Sequence, residues 1–359
     1  MSSNWKNWFL GAGEKRELRD TLDLYAKARD AKWDGPFASE KALDSFIVDL
    51  IFEVCERRGV TPAVPLGRAL YWAIRELLYL EGFALSLPEE SAVSRLTVEE
   101  SVLARATWSR HLRFLGDQAR LLAIWREKLA WVFTGILGYL PLSAFTDIDE
   151  RGVAADDSVV LPEARAYDLC DNVAEVVERT IMTFVDDDVV NAHLFDIVRE
   201  RLNTNAIRAS GIPLERKHEA AGKIVLPTRN REKSADYLVE AYLQGTPFLS
   251  FFHSPLPFAI PFPARFEHTH IVGGTGHGKT QLMQFLINHD LIRSIEDGRS
   301  VVVIDSQGDL IRTISRLAYF RSSDAENLAE RFVLVDPNDV ENPVCLNMFD
   351  FNRERLSGY

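Results

Sequence analysis

HTHIVGGTGHGKTQLMQFLINHD, residues 268–290, decides how the C-terminal part of this chain is read. Gly273, Gly278, Lys279 and Thr280 occupy the fixed places of the pattern G-x-x-x-x-G-K-[ST]. Before the glycines, His270, Ile271 and Val272 predict the end of a strand. After them, Gln281, Leu282, Phe285, Leu286 and His289 predict the start of an amphipathic helix. Phosphate oxygens must approach main-chain N–H groups closely, and a Cβ would block them, so glycines dominate such a loop. The helix that follows points its positive end at the same place. The expected nucleotide-binding residues are Gly273, Gly274, Thr275, Gly276, His277, Gly278, Lys279, Thr280 and Gln281, with ATP and Mg²⁺ as cofactors. Lys279 is expected to bridge the β- and γ-phosphates, and the Thr280 hydroxyl to bind Mg²⁺. Thr275 and His277 fill free positions of the pattern and are expected to contribute main chain.

Downstream, SVVVID at 300–305 is a β-branched run ending in an acid, which predicts a buried parallel strand. Residues 306–309 turn into a helix covering 310–319, and FVLVD at 332–336 predicts another strand, closed by Pro337. Strand, loop, helix, strand, helix, strand makes an α/β P-loop core with a parallel sheet, whose ligand sites lie at the carboxyl ends of the strands. Asp305 then has two readings: an acid that organises Mg²⁺ together with Thr280, or a strand-end residue capping the next helix. No Glu follows it to position an attacking water, and that chemistry favours the cap. No catalytic residue is assigned.

Upstream, residues to about 210 predict a mainly α-helical region. Ser39 starts a run with Leu43, Phe46, Ile47, Leu50, Ile51 and Val54 at helical spacing, and a second follows Pro65. Thr97 and Glu100 form a capping-box pattern. Arg110, Arg113, Arg120 and Arg126 make a basic helix face, read as solvated surface ahead of nucleic-acid contact. The uncharged stretch 129–145, LAWVFTGILGYLPLSAF, contains Gly135, Gly138 and Pro141 and is short for a membrane span; it reads as a buried helix and its exit. The acidic stretch 147–157 is the expected break between helical subdomains. Asp186, Asp187 and Asp188 read as a turn and helix start ahead of a metal site, since no partner ligands lie at useful spacing. From Gly211 the texture turns to short runs, with strands expected at 224–226 and 248–252, then a stiff connector bearing Pro255, Pro257, Pro261 and Pro263. The expected divisions are a helical domain at 1–150, a helical subdomain at 151–210, a small β-containing connector at 211–264 and the first part of an ATPase domain at 265–359.

With 359 residues the chain has ample core for two or three domains. Its net charge of -12 argues against coating duplex DNA by bulk electrostatics, although a few residues from each of several subunits can line a narrow pore. Cys55, Cys170 and Cys345 lie far apart and read as reduced thiols of a cytosolic protein. The start lacks the apolar core of a signal peptide.

GTPFL at 245–249, the proline connector, RFEHTHIVGGTGHGKTQLMQ at 265–284, VVVIDSQGDL at 301–310 and FVLVDPNDVENPVCLNMFD at 332–350 together resemble the HerA–FtsK superfamily of pumping ATPases. The nearest likeness is to the TraG- and TraD-like coupling ATPases of conjugative DNA transfer, over residues 235–352. The resemblance implies a homo-hexameric ring that moves DNA through its pore by ATP hydrolysis, with residues 273–280 on the nucleotide and Asp305 and Asp309 in the second-strand motif. In that family the Walker B acid, sensor and arginine finger lie further downstream, so the core is expected to be incomplete here. Coupling ATPases typically begin with transmembrane helices, whereas this chain begins with a soluble-looking helical region, which implies a cytoplasmic bacterial protein, with inner-membrane association as the alternative. A second functional reading is a nucleotide-gated scaffold recruiting a protein partner through the helical domain; a third is a pump for peptide or protein.

Overall fold

The computed structural model describes residues 12–142, 145, 154, 158–161, 164–220, 222–321, 328–336 and 339–341. Its internal contacts divide the chain into two units, Met1–Phe266 and Glu267–Tyr359.

The first unit is helical. α1 (Ala12–Ala31), α2 (Glu40–Glu56), α3 (Val64–Leu80) and the single turn α4 (Glu90–Val93) precede α5 (Val98–Gly116) and α6 (Gln118–Leu137). α7 (Val173–Met182), α8 (Asp187–Asn191), α9 (Asp196–Ala209), α10 (Ala235–Leu243) and α11 (Pro247–His253) follow. Several helices start where a side-chain oxygen satisfies an orphan N–H group. Ser39 Oγ accepts from Ala42 N–H at 3.2 Å. Thr97 and Glu100 close the expected capping box, with Glu100 N–H donating to Thr97 Oγ1 and Thr97 N–H to the Glu100 carboxylate. Ser234 Oγ caps α10 through Tyr237 N–H.

One apolar cluster runs from Leu43 to Leu256 and joins α2, α3, α6, α7, α9, α10 and α11. The expected helical, subdomain and connector segments therefore all contribute to a common core. Trp125 on α6 is fully buried at its centre, stacked on Phe195 at 5.5 Å with the rings 10° apart. The uncharged stretch from 129 supplies Leu129, Ala130, Val132, Phe133 and Ile136 to this core. No helix among the described residues is long and apolar enough to cross a membrane.

The 224–226 and 248–252 runs do not form the expected strands. FLSFF at 248–252 is not a strand but lies in α11. Pro247 presets the first helical turn, and Phe248, Phe251 and Phe252 bury on one face at helical spacing. Residues 224–226 join no ladder, because their backbone is held by side chains instead. Val225 N–H donates to Ser210 Oγ, and Tyr242 Oη donates to Val225 O. The small sheets come from elsewhere. β1 (Val159–Val160) pairs antiparallel with β4 (Ala259–Ile260), and β2 (Ala164–Arg165) with β3 (Pro255–Leu256), so the proline connector is fixed by short pairings.

The second unit carries α12 (Lys279–Asp297) and α13 (Asp309–Ile314), packed around Leu291, Leu310, Ile314 and Leu328. The predicted parallel sheet is not formed among the described residues: 270–272, 301–305 and 332–335 make no ladder. The side-chain alternation of a strand is nevertheless present at 301–304. Val301 and Val303 pack on the cluster, while Val302 and Ile304 are 84% and 91% exposed. A strand buried on both faces needs a neighbour on each side. Here the 301–305 and 332–335 runs line a shared cavity of about 660 Å³ with Ile287 and Leu291 rather than hydrogen-bonding to one another.

Candidate functional site

The glycine-rich loop ends where α12 begins. Gly276 and Gly278 have φ of 80° and 76°, the left-handed region that a Cβ disfavours, and Gly278 is the N-cap residue of α12. Gly274 is required for a second reason. A Cβ there would lie 2.4 Å from Nδ1 and 2.6 Å from Cε1 of His277, whose ring folds back over it. The loop also holds its own lysine, since Lys279 Nζ donates to Gly273 O and Gly274 O, each at 2.8 Å.

Among the described residues, the main-chain N–H groups of Gly274, Thr275, Gly276, Gly278, Lys279 and Thr280 find no protein acceptor. His277 N–H alone closes a turn, onto Gly274 O at 3.3 Å. Thr280 and Gln281 are exposed on the first turn of a 19-residue helix, whose dipole makes this end positive. The arrangement is thus a row of donors beside one ammonium group, a geometry that suits anions with several oxygens.

Asp305 is engaged elsewhere. Its Oδ1 accepts from Gln307 N–H at 3.0 Å and its Oδ2 from Leu310 N–H at 2.9 Å, so it satisfies the orphan donors at the start of α13. Those N–H groups, Gln307 foremost, hold its carboxyl below the usual carboxylate range. Asp309, on the first turn of α13, pairs with Arg312 at 3.2 Å. No group of three or more His, Cys, Asp or Glu side chains gathers to hold a metal ion among the described residues.

Residues 257–341 match the family model of the type IV secretion-system coupling protein DNA-binding domain. The coupling-protein match supports the TraG- and TraD-like resemblance and takes in the proline connector from Pro257 onward, the glycine-rich loop, Asp305 and the 332–336 run. No curated protein and no solved structure matches the chain.

Within residues 257–341, one set of contacts had no sequence signal. Arg331 donates to Ser294 O at 2.7 Å, Ser294 Oγ at 3.0 Å and Arg299 O at 3.1 Å, closing the C-terminal turn of α12 from 37 positions away. The features singled out in the first unit have structural partners. Arg126 pairs with Glu53 at 2.8 Å, Arg120 with Asp117 at 2.6 Å and Arg113 with Asp196 at 3.8 Å. Burial pushes the half-buried Arg110 guanidinium below its ordinary value. Asp186 pairs with Lys128 and opens α8, as a turn and helix start would. Cys55 and Cys170 are free thiols that burial pushes up to about 11 and about 12, away from reactive thiolate character; Cys345 lies outside the described residues.

Proposed function

We propose that this chain binds a magnesium nucleoside triphosphate at residues 273–280 and forms part of an ATP-driven motor that moves DNA, in the manner of the coupling proteins. The observation that supports it is the set of unengaged N–H groups of Gly274, Thr275, Gly276, Gly278, Lys279 and Thr280, beside the Lys279 ammonium at the head of α12. In this reading Lys279 exchanges the carbonyl oxygens of Gly273 and Gly274 for β- and γ-phosphate oxygens, keeping a charge-assisted hydrogen bond throughout. The Thr280 hydroxyl holds Mg²⁺, which neutralises phosphate charge when bound. Asp305, whose carboxylate accepts from the N–H groups that open α13, would have to release them to help hold that ion.

DNA as the moved substrate is supported by the match over residues 257–341. With a net charge of -12, the contact is best made by a few side chains per subunit around a hexameric pore rather than by a basic surface. Calorimetric titration with MgATP, in the absence and in the presence of single- and double-stranded DNA, tests both parts. Saturable binding that Lys279→Ala abolishes is the expected result. Binding that is indifferent to Lys279 would dismiss the nucleotide site, and binding without any response to DNA would dismiss the DNA motor and favour the nucleotide-gated scaffold.

A further inference from the structure

The end of α6 carries a pocket that the nucleotide reading does not use. It encloses about 270 Å³ and is lined by Arg58, Trp131, Thr134, Gly135, Gly138, Tyr139 and Arg179. Gly135 gives Arg179 room against the helix, and Gly138 lies within ordinary van der Waals reach of Arg58. A Cβ at Gly135 would lie 3.1 Å from Arg179 Nε, and one at Gly138 would lie 3.5 Å from Arg58 Cζ and Nη1. Neither guanidinium belongs to an ion pair among the described residues. Capping of α6 does not occupy them either. The Thr134 and Gly135 carbonyls accept from Gly138 N–H, the Ile136 carbonyl from Tyr139 N–H and the Leu137 carbonyl from Leu140 N–H.

Arg179 meets the Tyr139 hydroxyl, which Glu175 also reaches; Glu175 does not line the pocket and takes a hydrogen bond from Asn172. Thr134 Oγ1 is buried and has no hydrogen-bond partner, although a helical threonine ordinarily satisfies itself on the carbonyl four residues back. At the rim, Trp131 is 56% exposed. Two unpaired guanidiniums, an orphan hydroxyl and an open indole face thus converge on one small space.

We infer that this pocket binds the phosphate group of a nucleotide unit, held by Arg58, Arg179 and Thr134 Oγ1, with the base stacked on Trp131. Guanidinium forks match phosphate oxygens and form hydrogen bonds about twice as strong as neutral ones. The volume lies below the roughly 300–1,000 Å³ of pockets that enclose a whole small molecule, so it takes a phosphate and leaves the carrier outside. An aromatic face at the rim selects a planar ring for that carrier, since bases stack on such faces for about 1–3 kcal/mol each. The unit can come from a free nucleotide or from a single strand, and this site is independent of the 273–280 loop.

The test uses the full chain carrying Lys279→Ala, which takes the glycine-rich loop out of the measurement. Calorimetric titrations use AMP, adenosine, an eight-nucleotide single-stranded DNA and a phosphoserine peptide. The expected result is saturable binding of AMP or the DNA, no binding of adenosine, and at least tenfold weakening by Arg58→Gln, Arg179→Gln or Trp131→Ala. Circular dichroism melts check that these exposed substitutions leave the fold in place. DNA binding tenfold tighter than AMP identifies a strand as the ligand; equal affinities identify the free nucleotide. The inference is overturned if neither probe binds at millimolar concentration, if the arginine substitutions change nothing, or if the phosphoserine peptide binds as well as AMP and Trp131→Ala has no effect.

Discussion

Glu81 offers the sharpest quantitative test of the first unit. It follows the end of α3 and is buried, yet its carboxylate accepts the N–H of Val198 at 2.9 Å, at the start of α9. Burial pushes its carboxyl up from an ordinary 4.5 to about 6, against the opposing pull of the Val198 and Ile197 N–H groups. A folded-state value above the unfolded one means that the folded chain holds the proton more tightly. The resulting stability is fully present below about pH 4.5 and is lost as pH rises through about 6. A displacement of about 1.5 pH units corresponds to ~2 kcal/mol, or roughly 30-fold in the folding equilibrium. Glu81→Gln keeps an oxygen for Val198 N–H but cannot titrate. Urea unfolding of both proteins between pH 4.5 and 7.5 reads the difference, followed by tryptophan fluorescence, since all seven tryptophans precede residue 132 and report the first unit. The expected outcome is a stability difference that moves by ~2 kcal/mol in favour of Glu81→Gln between pH 4.5 and 7. A difference that stays flat across that window would refute the reasoning.

Three other sites carry expected outcomes of their own. Trp125→Ala is expected to cost the first unit about 3–5 kcal/mol, read by urea unfolding, because a fully buried indole leaves a cavity between Phe46, Phe83 and Phe195. Asp305→Ala should remove the cap of α13 and cost about 0.5–2 kcal/mol, seen as faster amide exchange at Gln307 and Leu310, whereas Asp305→Asn should lose less because its remaining oxygen still accepts. Gly274→Ala should weaken MgATP binding by pushing the His277 ring off the loop, and His277→Ala in the same chain should restore most of the loss. Equal losses in the single and double variants would show that the ring is not the obstacle.

Legibility differed between the two units for physical reasons. The helical part could be read because its signals are local: Ser39, Thr97 with Glu100 and Ser234 cap the helices whose apolar residues recur at the right spacing. The 248–252 run misled because a short, uninterrupted aromatic stretch fits either a buried strand or a helix, and Pro247 with the surrounding core decides between them. The 301–305 and 332–335 runs carry strand chemistry, but a ladder is a property of neighbours that sequence periodicity cannot supply. For the loop, glycine spacing placed the main chain and Lys279 correctly at a helix start. It gave no hint of the His277 ring over Gly274 or of Arg331 closing α12, since both depend on three-dimensional contact. The pocket of Arg58 and Arg179 was equally hidden, because its arginines come from positions 121 residues apart and only the fold brings them to Gly135 and Gly138.

The central claim is that bare main-chain amides at the head of α12 close on a triphosphate. Hydrogen exchange read by mass spectrometry, with and without MgATP, follows those amides directly. Slowed exchange is expected in peptides covering residues 273–281, with no such slowing once Lys279 is replaced by Ala. Unchanged exchange in that stretch at saturating MgATP, or equal slowing in both proteins, would contradict it.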